Sequence, residues 1–246
     1  PAVALTHAPG RREAQRFAAL DAPARRGNGR AMPRSALSPA VRLFAALIAL
    51  VAFGSLVLQY IQDWRELGDA ATVRLVLWRM ARYFTILTNA VVVCVLGYSA
   101  LAGRWPGPGW PAAITVWIIV VGAVYCALLA ATHDPQGLEV WSNVGFHGIV
   151  PAGTVALWLA AAPKAGLTLA GPAIWTAYPL AYAVYALLRG LADGTYPYFF
   201  LDPAKTGAPG VAAYILGLGA FFLAIGVALV GLARVLEHRT QIRALP

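Results

Sequence analysis

Long apolar stretches separated by short polar ones dominate the chain, and each stretch is apolar all the way round rather than on one helical face. Six such runs follow a polar opening: Val41 to Tyr60, Tyr83 to Leu101, Ala112 to Thr132, Phe146 to Ala162, Pro172 to Leu191 and Val211 to Ala233. Each is close to the roughly 20 residues that cross a ~30 Å hydrocarbon core as a helix, and the fourth is the shortest. The pattern predicts an all-α polytopic membrane protein with six transmembrane helices over residues 40–233. A basic tail, 1–39, precedes this body and a basic cytoplasmic tail, 234–246, follows it. Connections differ in length and their motifs do not recur, which argues against two inverted halves.

Composition agrees with that class. Of 246 residues, 60% are hydrophobic and only 12% charged, and the mean hydropathy is +0.67, outside the range of soluble globular domains. The net charge of +9 would suggest nucleic acid in a soluble protein. Here the basic residues collect in tails and loops, so the positive-inside rule accounts for them and no nucleic-acid partner is expected. Arg11, Arg12, Arg16, Arg25, Arg26, Arg30 and Arg34 in the first tail fall on one side with Arg42, Arg104, Lys164, Arg234, Arg239 and Arg243. The other side holds Arg65, Arg74, Arg79, Arg82, Arg189 and Lys205. Both termini are therefore expected in the cytoplasm.

The first tail has few large apolar side chains and reads as disordered. It is too long for the basic start of a signal peptide, and Met32 stands as an alternative start. Cys94 and Cys126, inside apolar runs, read as small buried hydrophobes with no disulfide.

Against this background, polar residues within the runs carry the information. Arg82, Thr85 and Asn89 are spaced i, i+3 and i+7, with Thr88 beside them, so one face of the second helix is expected to point into protein. His147 enters the fourth run, with Pro151, Thr154 and Trp158 continuing its stripe. An ionisable side chain inside a span is costly and marks a functional hypothesis. Under the expected topology Thr85 and His147 start their helices from the same outer side and can meet. A neutral imidazole can take a proton from a hydroxyl, which makes Thr85 a candidate nucleophile. The plainer alternatives are an interfacial histidine and a threonine serving as interhelical glue.

The segments Tyr83–Asn89, His147–Pro151 with Trp158, Arg189-Gly190 and Tyr196–Pro203 together resemble the proteobacterial six-helix membrane family called Pr-six-Pr. The likeness covers residues 40–233. That family is in turn similar to the eukaryotic androgen-induced membrane proteins, threonine hydrolases of fatty-acid esters of hydroxy fatty acids. In those proteins a threonine matching Thr85 and a histidine matching His147 stand in related segments. The resemblance implies a nucleophile at Thr85, a base at His147, a bacterial inner-membrane location, membrane lipids as partners and a lipid ester as substrate. Pro151, four residues after His147, and the Arg-Gly and Tyr-Pro-Tyr motifs belong to the bacterial branch.

Arg82, Thr88, Asn89, Asn143, Pro151, Trp158, Arg189, Tyr196, Tyr198 and Asp202 form the expected supporting group. Among them Asn89 is a candidate oxyanion donor. Arg82 and Arg189 are candidates for binding a carboxylate or phosphate, or for snorkelling to the interface. Tyr196, Tyr198, Phe199 and Phe200 suit either a lid or an aromatic belt, and Asp202 before Pro203 reads as a turn residue. His133, Asp134, Glu139 and His147 lack any established metal or haem spacing, so no metal or cofactor is expected. The alternative to an enzyme is a transporter or structural membrane subunit with a polar site on its outer side.

Overall fold

The computed structural model describes residues 36–243, and among them every regular element is helical. The expected tail at 1–39 and the start at Met32 lie almost wholly or wholly outside the described residues. Helix α1 is Pro39–Leu67, α2 Val73–Met80, α3 Phe84–Ala102 and α4 Gly109–Val124. They are followed by α5 Leu138–Val144, α6 Val150–Ala161, α7 Ala170–Asp193 and α8 Pro203–Arg243. Two π turns interrupt the set. Tyr125–Leu129 extends α4, and Gly145–Ile149 joins α5 to α6 into one rod.

Five of these rods are long and apolar enough to cross a membrane: Pro39–Ala70, Phe84–Ala102, Gly109–Leu129, Leu138–Ala161 and Pro203–Arg239. The remaining expected span, in α7, is a 24-residue helix whose mean hydropathy is held down by Trp175, Tyr178, Tyr182, Tyr185 and two prolines. The fourth rod begins earlier than Phe146 and is not the shortest. Glu139, Ser142 and Asn143 look like loop residues in the sequence, but they turn inward on α5 and find partners there. The last helix also runs past its expected end at Ala233.

Local chemistry explains the boundaries. Ser38 caps α1, its hydroxyl accepting from Val41 N at 3.3 Å, with Pro39 in the first turn, where its missing N–H costs nothing. Ala45, Ala49 and Ala52 make a buried stripe of small side chains, and Ile48 beside them packs on Gly153, which lets α1 lie close against α3 and α6. Helix α3 ends at Gly103, φ 64°, where Arg42 Nε donates to Ala100 O at 2.8 Å and satisfies a terminal carbonyl. In α7, Pro179 removes the bond to Trp175 O, and Trp117 Nε1 donates to that carbonyl at 2.8 Å, so the proline is accommodated. In α8, Gly207 adopts φ 69°, ψ 162° just before Pro209, which kinks the chain there.

Helix α4 is the axis of the bundle, with 56% of its most apolar window buried, the highest share of the five. The outside of the bundle is apolar, with Leu47, Leu50, Phe53, Leu188, Leu191, Leu216 and Val227 all exposed, as a lipid-facing surface requires. Cys94 and Cys126 lie on that exposed outside as free thiols rather than in the core, because their helices turn bulkier side chains inward.

Candidate active site

The site begins with how the turn before α3 is held. Ala81, Arg82 and Tyr83 leave the α-helix between α2 and α3, so the carbonyls of Trp78, Ala81 and Arg82 need donors. Helix α7 supplies them from one face. Tyr182 Oη donates to Arg82 O at 2.7 Å, Tyr185 Oη to Ala81 O at 3.1 Å and Arg189 Nη2 to Trp78 O at 2.5 Å. Arg189 is 5% exposed, and its guanidinium also lies 3.8 Å from the centre of the Trp78 ring. Arg82 is thus not on the face of α3 with Thr85 and Asn89. It sits in the preceding turn, and its guanidinium grips Asp193 through bonds of 3.0 and 2.8 Å and also donates to Thr195 O. Arg189 Nε lies 3.5 Å from the same carboxylate. The two arginines share one acid and lock α7 to the start of α3.

That lock presents Thr85 in the first turn of α3. Its Oγ1 lies 3.5 Å from His147 Nε2, at the outer limit for a hydrogen bond. His147 lies within the second π turn and Tyr125 opens the first. The two rings stack at 4.0 Å between centroids, 16° apart. π turns occur often at functional sites because the extra residue re-aims a side chain. Here two of them bring a phenol and an imidazole face to face.

The histidine's other nitrogen is fixed. His147 Nδ1 is 2.7 Å from Asn143 Oδ1 and 3.2 Å from Asn143 O. A backbone carbonyl can only accept, so Nδ1 carries the proton and Nε2 offers its lone pair toward Thr85. Asn143 Nδ2 donates to Tyr125 Oη at 2.7 Å, which holds the amide in the matching orientation. Thr85, His147 and Asn143 therefore line up as a hydroxyl, an imidazole and an orienting amide, the arrangement that a nucleophile triad requires.

Two cavities meet at this triad. One is a polar cavity of about 330 Å³ reaching from Thr85, Asn143 and His147 to Gln59, Asp63, Glu66, Arg79, His133 and Glu139. The other is an apolar groove between α4, α7 and α8, lined by Val120, Leu180, Ala183, Ile215 and Phe222. Thr85, Leu129 and Tyr198 line both. The Tyr198 ring stacks on Phe200 at 5.0 Å. Its hydroxyl faces the Thr85 side chain and the first amides of α3, and burial pushes that phenol up, so it stays a donor.

Several expected residues do other work. Asn89 is 0% exposed, lines neither cavity, and its Nδ2 donates back to Thr85 O at 2.9 Å. Its Oδ1 has no partner among the described residues. Thr88 Oγ1 pairs with Tyr178 Oη at 3.4 Å and ties α3 to α7. Pro151 packs against Gly122. Trp158, buried under Lys164 at the far end of α6, lies roughly 16 Å along the helix from His147, so that end of the stripe is core. Tyr196 covers Gly190, and Asp202 caps α8 by accepting from Ala204 N at 2.9 Å.

Tyr125, Gln59, Asp63 and Asp193 join the site without having been expected there from the sequence. Tyr125 was legible as a polar-tipped ring at the end of a span, whereas Asp193 had no signal beyond being an acid near Arg189. Among the described residues no group of three His, Cys, Asp or Glu is disposed to hold a metal ion. Comparisons with protein-family models, with curated proteins and with solved structures each return no match.

Proposed function

We propose that the protein is a membrane-embedded hydrolase of long-chain acyl esters, with Thr85 as nucleophile and His147 as base. The observation that carries this reading is the Thr85–His147–Asn143 alignment at the junction of a polar cavity and an apolar groove. The acyl chain occupies the groove and the alcohol half the polar cavity, so the ester carbonyl falls beside Thr85 Oγ1. Thr85 attacks the carbonyl carbon while its proton passes to His147 Nε2. The bond to the alcohol oxygen breaks, and that oxygen leaves with the proton from His147. Water then gives its proton to His147 and attacks the acyl-threonine, and the acid departs as the proton returns to Thr85. Tyr198 Oη, rather than Asn89, is the side-chain donor beside the oxygen that becomes negative.

The resemblance to Pr-six-Pr and to the androgen-induced threonine hydrolases supports the same nucleophile and base, and the choice of the alcohol half of the substrate does not rest on it. In this reading α7 is the sixth span, since a 24-residue helix extends roughly 36 Å. The charge distribution supports cytoplasmic termini with the triad at the outer leaflet, and the resemblance supports a bacterial inner membrane. The lining of the polar cavity comes from the Thr85 end of the bundle and includes no residue of the 103–108 or 162–169 connections, which favours hydrolysis over transport.

Purified protein in a neutral detergent should cleave long-chain acyl esters. Thr85→Ala and His147→Ala should lose at least about 10³-fold in kcat/KM, and Thr85→Ser should retain part of the turnover. Equal activity in Thr85→Ala would overturn the assignment.

A further inference from the structure

We infer that the alcohol half of the ester is uncharged or cationic, not an acid. The inference rests on the hydrolase reading and concerns the polar cavity that would hold that half. Asp63, Glu66 and Glu139 line it, and Arg79 is the guanidinium facing them. That guanidinium is already engaged: it bonds Glu66 and lies 3.6 Å from Asp63 Oδ1. His133 Nε2 sits 3.5 Å from Glu139. Beyond the cavity wall Arg82 and Arg189 are both committed to Asp193. Among the described residues, no cation lining the cavity stands without a carboxylate neighbour.

An anionic group entering this space would meet more carboxylates than guanidiniums in an enclosure partly shielded from water, where like charges repel strongly. A second ester acid, such as the free carboxylate of a hydroxy fatty acid, would be rejected for that reason. A cationic headgroup would be drawn toward Glu139 and Asp63 instead, and a polyol would use the amide of Gln59 and the hydroxyl of Ser142 as hydrogen-bonding partners. The apolar groove on the other side of Thr85 has no comparable charge, so it does not discriminate and simply takes the acyl chain.

The test holds the acyl chain constant and changes the alcohol. Protein in a nonionic detergent is assayed with palmitoylcholine, monopalmitoylglycerol and the palmitate ester of hydroxystearic acid, each delivered in the same micelles. The choline and glycerol esters should exceed the carboxylate-bearing ester by about tenfold or more in kcat/KM, a difference that one unscreened charge contact supplies. Glu139→Arg, at the accessible rim, should shift the choline-to-carboxylate ratio severalfold toward the carboxylate ester. Hydrolysis of the carboxylate-bearing ester as fast as that of the choline ester would overturn the inference and leave the hydrolase standing. Hydrolysis of none of the three would remove the hydrolase reading and this inference with it.

Discussion

At the scale of single residues, the proposed chemistry turns on a hydroxyl, an imidazole and an amide whose orientations are set by neighbours. Asn143 bonds His147 Nδ1 at 2.7 Å, so Asn143→Ala should leave the base free to adopt the wrong tautomer and lower kcat by about a hundredfold or more with little change in KM. A drop in KM-type binding alone would show that Asn143 serves the cavity and not the base. Farther out, the Arg82 guanidinium holds the Asp193 carboxyl at about 2, below its ordinary 3.8. The ionised form is the one the fold prefers, so its stabilising effect is fully present above pH 4 and disappears as the pH falls through 2. The melting temperature of Asp193→Asn should therefore lie below that of the natural chain at pH 6, and the gap should close as the pH is lowered toward 2. A gap that does not change with pH would show that the carboxylate acts by shape alone.

At the scale of elements, two devices matter: the π turns and the clamp from α7. In the second π turn Gly145 faces Ser55 so closely that a Cβ would collide with the serine side chain. Alanine ordinarily favours a helix over glycine, yet Gly145→Ala should cost about 1–3 kcal/mol. Combining it with Ser55→Ala should recover most of the loss, a coupling that a double-mutant cycle reads directly. In the clamp, Arg189→Ala leaves Trp78 O without a donor and Asp193 with one guanidinium fewer, and thermal or denaturant unfolding in detergent should register a loss of about 3 kcal/mol. The apolar runs were legible at this scale because lipid demands one unbroken stretch per helix. The cap at Asp202 was legible because Asp-Pro is turn chemistry. The π turns were not, since an extra residue in a helix leaves no mark on hydropathy, and without them the spacing of His147, Thr154 and Trp158 reads as one continuous stripe. The clamp was hidden too, because Tyr182, Tyr185 and Asp193 become meaningful only when α7 meets carbonyls some hundred positions earlier in the chain.

At the scale of the whole molecule, the site exists because alternating helices bring α3, α5 and the end of α7 to one end of the bundle. The meeting of Thr85 and His147 could be anticipated from their depth in their runs, whereas the two cavities could not, since they arise from packing among many helices. The proposed orientation rests on the distribution of Lys and Arg, and reporter fusions after Gly137 and after Lys164 should read outside and cytoplasm respectively. The reverse readout would move the triad to the inner leaflet. The central claim is that Thr85 becomes acylated, and the most direct measurement is to map the adduct itself. Purified protein treated with a long-chain fluorophosphonate, digested and analysed by mass spectrometry should carry the label on Thr85, and His147→Ala should abolish it. A label on another residue, or an unlabelled Thr85 in protein that hydrolyses esters, would contradict the account.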